Sequence, residues 1–305
     1  MRIITEPKIY LVSENRLMNF ELQQFLRDEG VSERWQPDTI NDPQTVVEVA
    51  GRVCYMSFAK PRPGGNHAYI DHILEVGHGS VLEHAVFSLL ITGVSRSLTH
   101  ELVRHRVGMS PSQLSQRYVD ESDCDFVLPP LLQELIDWDA VPETEGGNLE
   151  QGYDESEFCH VWFEWHESIC AAQKSYERLS NINYVRLAQK HLPANVWHDG
   201  NGPESFAELN DAIASLPAEL RTAIRKRARE AARSVLPNCT ATKIFVTGNA
   251  RAWRHFLEMR GSEHADAEIN RLARAVLAKL QLAAPNLFGD YTVNNGVIDT
   301  PYRKV

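Results

Sequence analysis

The chain reads as an α+β protein in which helices pack on a small, largely antiparallel sheet with no Rossmann unit. Three observations lead there. Apolar residues recur at helical spacing over several long segments, short β-branched runs stand between them without a βαβ rhythm, and the Gly-x-Gly fragments lack the strand, third glycine and helix of a dinucleotide fingerprint.

Taken in order, residues 3–12 predict a first strand, with Pro7 confining it to a sheet edge because proline has no N–H to donate. From Pro43 to Phe58, Val46, Val47, Val49, Ala50, Val53 and Cys54 fall at helical spacing behind an Asp42-Pro43 start. A breaker-rich loop, KPRPGGNHAY, leads to a short helix over Tyr69–Val76. Glu83–Val94 reads as a buried strand after a Gly77-His78-Gly79-Ser80 turn, and Ser95 is placed to cap a helix over Arg96–Arg104.

Helical patterning returns at Phe158–Gln189 and again from about Ser205 to Val235, where Arg221, Arg225, Arg229 and Arg233 recur along one face with Lys226 beside them. Thr242–Thr247 reads as a strand broken by Gly248. Asn249 then caps a helix over Ala250–Met259, which Arg260 and Gly261 close. A last helix, Glu263–Leu282, carries Ile269, Leu272, Ala273, Val276 and Leu280 on one stripe, and beyond Asp290 no pattern is strong.

At 305 residues the chain can bury a sizeable core, and the reading is one catalytic domain over 1–305 with polar insertions at about 134–157 and 191–204. The first insertion is acidic and lies in a stretch without any Lys or Arg between Arg117 and Lys174. A net charge of −10 argues against a broad grip on a nucleic acid polymer, so an anion must be held by a local cluster. Five cysteines, odd in number and without a CxxC pair, fit a reducing compartment. No run reaches the roughly 20 apolar residues of a membrane helix, and none near Met1 reads as a signal peptide, so a cytoplasmic protein is expected.

One stretch has the chemistry for an anionic ligand. RHRVGMSPSQLSQRY, 104–118, sets Arg104, His105 and Arg106 in a row before Gly108, Pro111 and three serines and ends on Arg117 and Tyr118. Guanidinium forks match phosphate oxygens, and the small residues let backbone amides point at them; a solvated basic turn has the same composition. His78, Glu83, His84 and His105 admit a second reading as metal ligands of a phosphohydrolase, though their spacing fits no HExxH helix. A non-catalytic nucleotide-binding protein would also keep the basic loop. Cys239 reads as a buried thiol, His84 and His264 as interior hydrogen-bonding residues, Tyr55 as core or a stacking ring, and Trp253 and Phe256 as core. His78 stands between turn residue and site wall, and Lys226 and Arg229 are secondary candidates for a ligand pocket.

Three stretches together resemble the flavin-dependent thymidylate synthases: VGHGSVLEH at 76–84, RHRVGMSPSQLSQRY at 104–118, and ARSVLPNCTATKIFVTGNARAWRHFLEMRGSEHADAEI at 232–269. Arg104, His105, Arg106 and Ser115 fill the family's RHR…S signature, with a spacer one residue longer than its usual form, and Pro111 in the loop. The resemblance implies FAD, NADPH and 5,10-methylenetetrahydrofolate, methylation of dUMP to dTMP, and a homotetramer with active sites at subunit interfaces.

Carried over by position, it implies that Ser80, Arg104, His105, Arg106, Gln113, Asn249, Ala250, Arg251 and His255 hold FAD. It implies that Glu101, Leu102, Val103, Arg104, Gln113, Leu114, Ser115, Gln116, Arg117, Arg233 and Arg260 hold dUMP, with QLSQR given by a neighbouring subunit and Arg260 polarising the uracil ring. It implies no metal and no cysteine nucleophile.

Overall fold

The protein is seen as a computed structural model that describes residues 1–136, 157–192 and 206–303. They divide into two compact units, one formed by Met1–Ile4 with Leu114–Ala241 and the other by Thr5–Gln113 with the segment from Thr242 on. The two polar insertions lie for the most part outside the described residues.

In chain order the elements begin with β1 (Ile3–Ile4), β2 (Lys8–Glu14), α1 (Asn19–Asp28), α2 (Asp42–Tyr55), α3 (Gly65–Glu75), β3 (Val86–Ser95), α4 (Arg96–Leu102), β4 (Met109–Gln113), β5 (Phe126–Val127) and α5 (Pro130–Leu135). They continue with α6 (Glu157–Gln189), α7 (Phe206–Ala214), α8 (Ala218–Ala232), β6 (Ala241–Asn249), α9 (Ala250–Arg260), α10 (Ala267–Ala283), α11 (Pro285–Phe288), β7 (Thr292–Asn294) and β8 (Val297–Asp299).

The larger unit is built on a four-stranded sheet in the order β2-β3-β6-β4. β3 is central, and its alternate residues Phe87, Leu89 and Ile91 are fully buried, as period-2 side chains on a covered face must be. β2 lies antiparallel to it with Ile9 opposite Ile91. Pro7 splits the expected 3–12 strand in two, and the second piece takes the sheet edge. On the far side β4 pairs antiparallel with β6, Pro111 opposite Val246. A loop was expected there, but an edge strand tolerates a proline that cannot donate, and Met109 is buried.

Helices cover the sheet. Ile269, Leu272, Ala273, Val276 and Leu280 of α10 are all buried, as their spacing requires, and Trp253 and Phe256 of α9 lie in the same core. Gly248 does not end β6: it pairs with Met109, and a Cβ there would stand 2.8 Å from Trp253 Nε1, so the missing side chain admits the indole. Ser95 caps α4 through the Leu98 amide at 3.0 Å. Residues 79–84 form a 3₁₀ turn, so the strand begins at Val86 and not at Glu83.

Beyond Asp290 the structure adds a hairpin, β7–β8, turned at Asn295 (φ 50) and Gly296 (φ 78). Paired positive φ values are the type I′ geometry that Asn-Gly favours. Arg254, wholly buried, donates two parallel bonds to Asp290 (2.6 and 2.7 Å), and the Thr300 hydroxyl bonds the same carboxylate, which fixes the hairpin's flank to α9.

In the other unit, α6 packs against α8. β1 runs parallel to β5 with Ile3 opposite Phe126. One cluster there gathers Ala188, Leu209, Ile213, Leu216 and Ile224, and another gathers Cys124, Phe126 and Ile169.

Candidate active site

The site begins where β6 ends. Asn249 has extended backbone (φ −79, ψ 163), and its side-chain oxygen accepts from the Ala252 amide at 2.8 Å, so it starts α9 as a polar N-cap should. The Asn249 amide donates to Gly108 O (3.1 Å) and the Ala250 amide to Ala85 O (2.8 Å). Gly108 has φ +70, and a Cβ there would stand 2.7 Å from Asn249 Nδ2 and 2.9 Å from Ala252 Cβ. Only glycine holds this position without strain.

Beside this junction opens a cavity of about 850 Å³, which Asn249, Arg251, His255, Gly108 and the β8 residues Ile298 and Asp299 help to line. Arg251 reaches across its rim to Glu83 (2.7 Å), and both are close to half exposed. Gly261 closes α9 in ordinary backbone (φ −85); it is glycine for room, since a Cβ would meet the Ile298 side chain at 2.5 Å.

At the far end of α9, Arg260 is gripped from two sides. Nη1 donates to Glu101 Oε2 at 2.5 Å and Nε to His105 Nε2 at 3.0 Å. Burial, with the Arg260 charge and His255 adding to it, pushes the His105 pKa down to about 4. The ring is therefore neutral at physiological pH, its Nε2 a lone-pair acceptor and its proton on Nδ1. It packs edge-on against His255 (5.8 Å between centroids) and Phe256 (5.3 Å). Burial makes His105 an acceptor where the sequence offered a third cation.

Of the other expected residues in the larger unit, Arg104, Arg106 and Ser80 are exposed, Val103 is half-buried and Ala250 is buried. Leu102 is a core side chain, so only its backbone is open to a ligand. Gln113 donates to Thr99 Oγ1 at 2.9 Å. Leu114, Ser115, Gln116, Arg117 and Arg233 belong to the other unit. There Arg117 pairs with Glu230 (2.9 Å), Arg233 caps α8, and Gln116 is buried with no partner for its Nε2 among the described residues. A buried amide donor without an acceptor is what an oxygen-rich ligand would satisfy.

Several secondary candidates move. His84 is exposed and His264 has 88% of its side chain in solvent, so neither is the interior residue expected; Tyr55 is exposed too, which leaves the stacking ring of its two readings, its plane 20° from that of His78. Lys226 donates to the Tyr118 hydroxyl (2.6 Å) and Arg229 to Tyr118 O and Asp120, while Arg225 lies over the Tyr184 ring. Cys239 is half-buried rather than buried, and no disulfide joins the described cysteines. Among the described residues no three His, Cys, Asp or Glu side chains gather as a metal-holding group, and the cluster proposed for a phosphohydrolase does not assemble. The sequence reading missed the β8 wall, although Asn295-Gly296 was a hairpin signal, and it placed Gly108 in the basic loop without its packing against the Asn249 cap, which no pattern announces.

Comparison with known proteins identifies the family. The model of the thymidylate synthase complementing protein family matches residues 37–286. A flavin-dependent thymidylate synthase of Mycobacteroides abscessus is 43% identical over 262 residues, covering 85% of this chain and 83% of the relative, and one from Mycobacterium sp. strain JLS is 45% identical over 262 residues, covering 85% and 84%. Among solved structures, a UMP/dUMP methylase, PolB from Streptomyces cacaoi bound with 5-Br dUMP, matches with a TM-score of 0.57 over 95% of this chain and 96% of that one; at 19% identity it speaks to the fold alone. No described helix is long and apolar enough to cross a membrane. With the matched segment running from before the Asn249 helix start to beyond Arg260, the chain belongs to the flavin-dependent thymidylate synthase family.

Proposed function

We propose that the protein methylates dUMP to dTMP, taking the one-carbon unit from 5,10-methylenetetrahydrofolate and reducing equivalents from NADPH through bound FAD. The arrangement that carries this reading is Arg260 held between Glu101 and a neutral His105 at the end of the helix whose start borders the 850 Å³ cavity.

The residues present suit a flavin. The cavity is of ordinary cofactor-site size, Gly108 and the Asn249 cap leave its wall free of side-chain bulk, and Arg251 offers a guanidinium for phosphates. Asn249, Arg251 and His255 would hold it, with Ser80, Arg104, His105, Arg106, Gln113 and Ala250 completing the contacts. Bound there, a flavin supplies the two-electron reducing capacity that a methyl group requires.

Arg260 acts on the nucleotide. A guanidinium fixed by Glu101 and His105 needs no reorganisation to stabilise negative charge growing on a uracil carbonyl, and such preorganised charge is commonly the largest catalytic term. Because His105 is neutral, it orients Arg260 without adding a competing cation. Arg117, Ser115 and Gln116 supply two kinds of donor and a cation for the phosphate or ring oxygens, with Leu114 and Arg233 alongside. In a homotetramer QLSQR would come from a neighbouring subunit.

The test is direct. The purified protein should be yellow, bleach on NADPH and convert dUMP to dTMP when methylenetetrahydrofolate is present. Arg260→Ala should lower dUMP turnover at least about a hundredfold while its flavin band stays; turnover that persists in this variant refutes the assignment, and a colourless inactive wild type refutes the function.

A further inference from the structure

The cavity at the start of α9 has one wall that the proposed chemistry does not use: the end of the β7–β8 hairpin, where Val297, Ile298, Asp299, Thr300 and Arg303 line it. β7 and β8 form a two-stranded sheet, and β7 is exposed along its whole length. A hairpin of two strands is marginal by itself in water. The place of this wall is therefore set by what grips the hairpin's base.

That grip leads to α9. The Ile298 amide donates to Gly261 O at 2.8 Å, and its side chain fills the space that Gly261 leaves. Ahead of the hairpin, the Tyr291 hydroxyl bonds Arg254 O (3.3 Å) and Glu258 (3.2 Å). Asp290 stands just before β7 and Thr300 just after β8, and the Thr300 hydroxyl donates to the Asp290 carboxylate. That bond closes the base of the hairpin. The same carboxylate takes both Nη atoms of Arg254, which shares α9 with the cavity residues Arg251 and His255. Thr300 is 6% exposed, Asp290 5% and Arg254 0%, so the chain of bonds is dry.

From this geometry we infer that Thr300 and Asp290 are positioning residues for the flavin: by closing the hairpin on Arg254 they hold the β8 wall opposite Arg251 and His255 before the cofactor arrives. The inference rests on the reading of this cavity as the flavin site. Where a wall is in place for only a fraction of the time, the apparent Kd is the intrinsic one divided by that fraction. Loss of one hydrogen bond to a charged group changes such a population about tenfold. Asp299 and its partner Arg303 (2.7 Å) would move with the wall, exchanging a fixed polar surface for solvent.

The experiment titrates FAD into the flavin-stripped full chain and follows quenching of its fluorescence. Thr300→Val keeps the side chain's shape without its hydroxyl; the FAD Kd should rise about tenfold, and the bound flavin's absorption band should move towards that of FAD in water. Thr300→Ser should restore both. Thr240→Val, which removes a buried hydroxyl bond to Pro237 O (2.6 Å) in the other unit, should leave both at wild type. In the wild type, hydrogen exchange at the Ile298 amide should be equally slow with and without FAD, a measurement that needs no variant to fold. Protection that appears only with FAD, a wild-type Kd in Thr300→Val, a serine no better than valine, or an equal loss in Thr240→Val overturns the inference while leaving the synthase reading intact. A wild type that takes up no FAD sinks both.

Discussion

Replacing Gly108 by alanine separates backbone strain from damage to the site. At φ +70 an L-residue costs about 1–2 kcal/mol. The new methyl would also press on Asn249 Nδ2 at 2.7 Å and Ala252 Cβ at 2.9 Å, disturbing the side chain whose oxygen caps the Ala252 amide. Loss of such a cap adds about 1 kcal/mol, for a total of roughly 2–3 kcal/mol. Gly30 supplies the control. It has φ +66, and a Cβ there would meet nothing within 4 Å, so Gly30→Ala carries the strain alone. Both variants also stiffen the unfolded chain, by the same amount, and that contribution cancels in their difference. Urea unfolding followed by fluorescence should place Gly108→Ala about 1 kcal/mol below Gly30→Ala, and gel filtration should strip flavin from Gly108→Ala alone. Equal destabilisation, or wild-type flavin retention in Gly108→Ala, refutes the claim that this glycine shapes the helix start.

Acid should reveal the neutral histidine. The folded His105 pKa of about 4 lies below the ordinary value of 6.5, so the unfolded chain takes the proton first; the stability is fully present above pH 6.5 and is lost as pH falls through 4. The full shift would amount to about 3 kcal/mol, and screening at a partly exposed ring reduces it to about 1–2 kcal/mol. Urea midpoints at pH 7 and 4.5 should therefore fall further for wild type than for His105→Asn; parallel losses would disprove a buried neutral ring. Arg254→Ala leaves Asp290 buried and unpaired and should cost about 3–5 kcal/mol in the same assay, a loss under 1 kcal/mol being incompatible with the pair as described. Gly261→Ala should cost about 1–3 kcal/mol by crowding Ile298, and adding Ile298→Ala should recover part of that cost; strict additivity in this cycle would show that the two do not touch.

What the sequence disclosed was mostly local. Caps at Ser95 and Asn249, the alternation of β3 and the α10 stripe each depend on residues within a few positions, and each is present. α1 was not legible because NFELQQFLRD buries just Leu22 and Leu26 and starts behind Met18, which caps nothing. β4 was hidden by Pro111 and its serines, since composition cannot tell an edge strand from a turn when the partner, β6, lies more than a hundred residues away. The same separation hid the grip on Arg260: Glu101 and Arg260 are 159 positions apart, and only the fold brings them within a hydrogen bond. His84 was misjudged because apolar neighbours along the chain say little about a residue at the end of an element, where the chain turns outward.

Burial divides the arginines by what they can do. Arg254 and Asp290 are 0% and 5% exposed, and a pair so dry cannot be parted without leaving an uncompensated charge. Arg117–Glu230 and Arg251–Glu83 are between 42% and 48% exposed on both sides, and such pairs contribute at most about 1 kcal/mol. Under the proposed function, a phosphate that offers the same guanidinium two charge-assisted bonds would exceed that, and these carboxylates would keep the fork oriented until a ligand displaced them. Arg260 lies between the extremes, at 21% with Glu101 at 30%. Too dry to swing away and too open to be purely structural, it stays paired while presenting its remaining edge, which is the condition for a fixed charge that acts on a uracil ring without first being released.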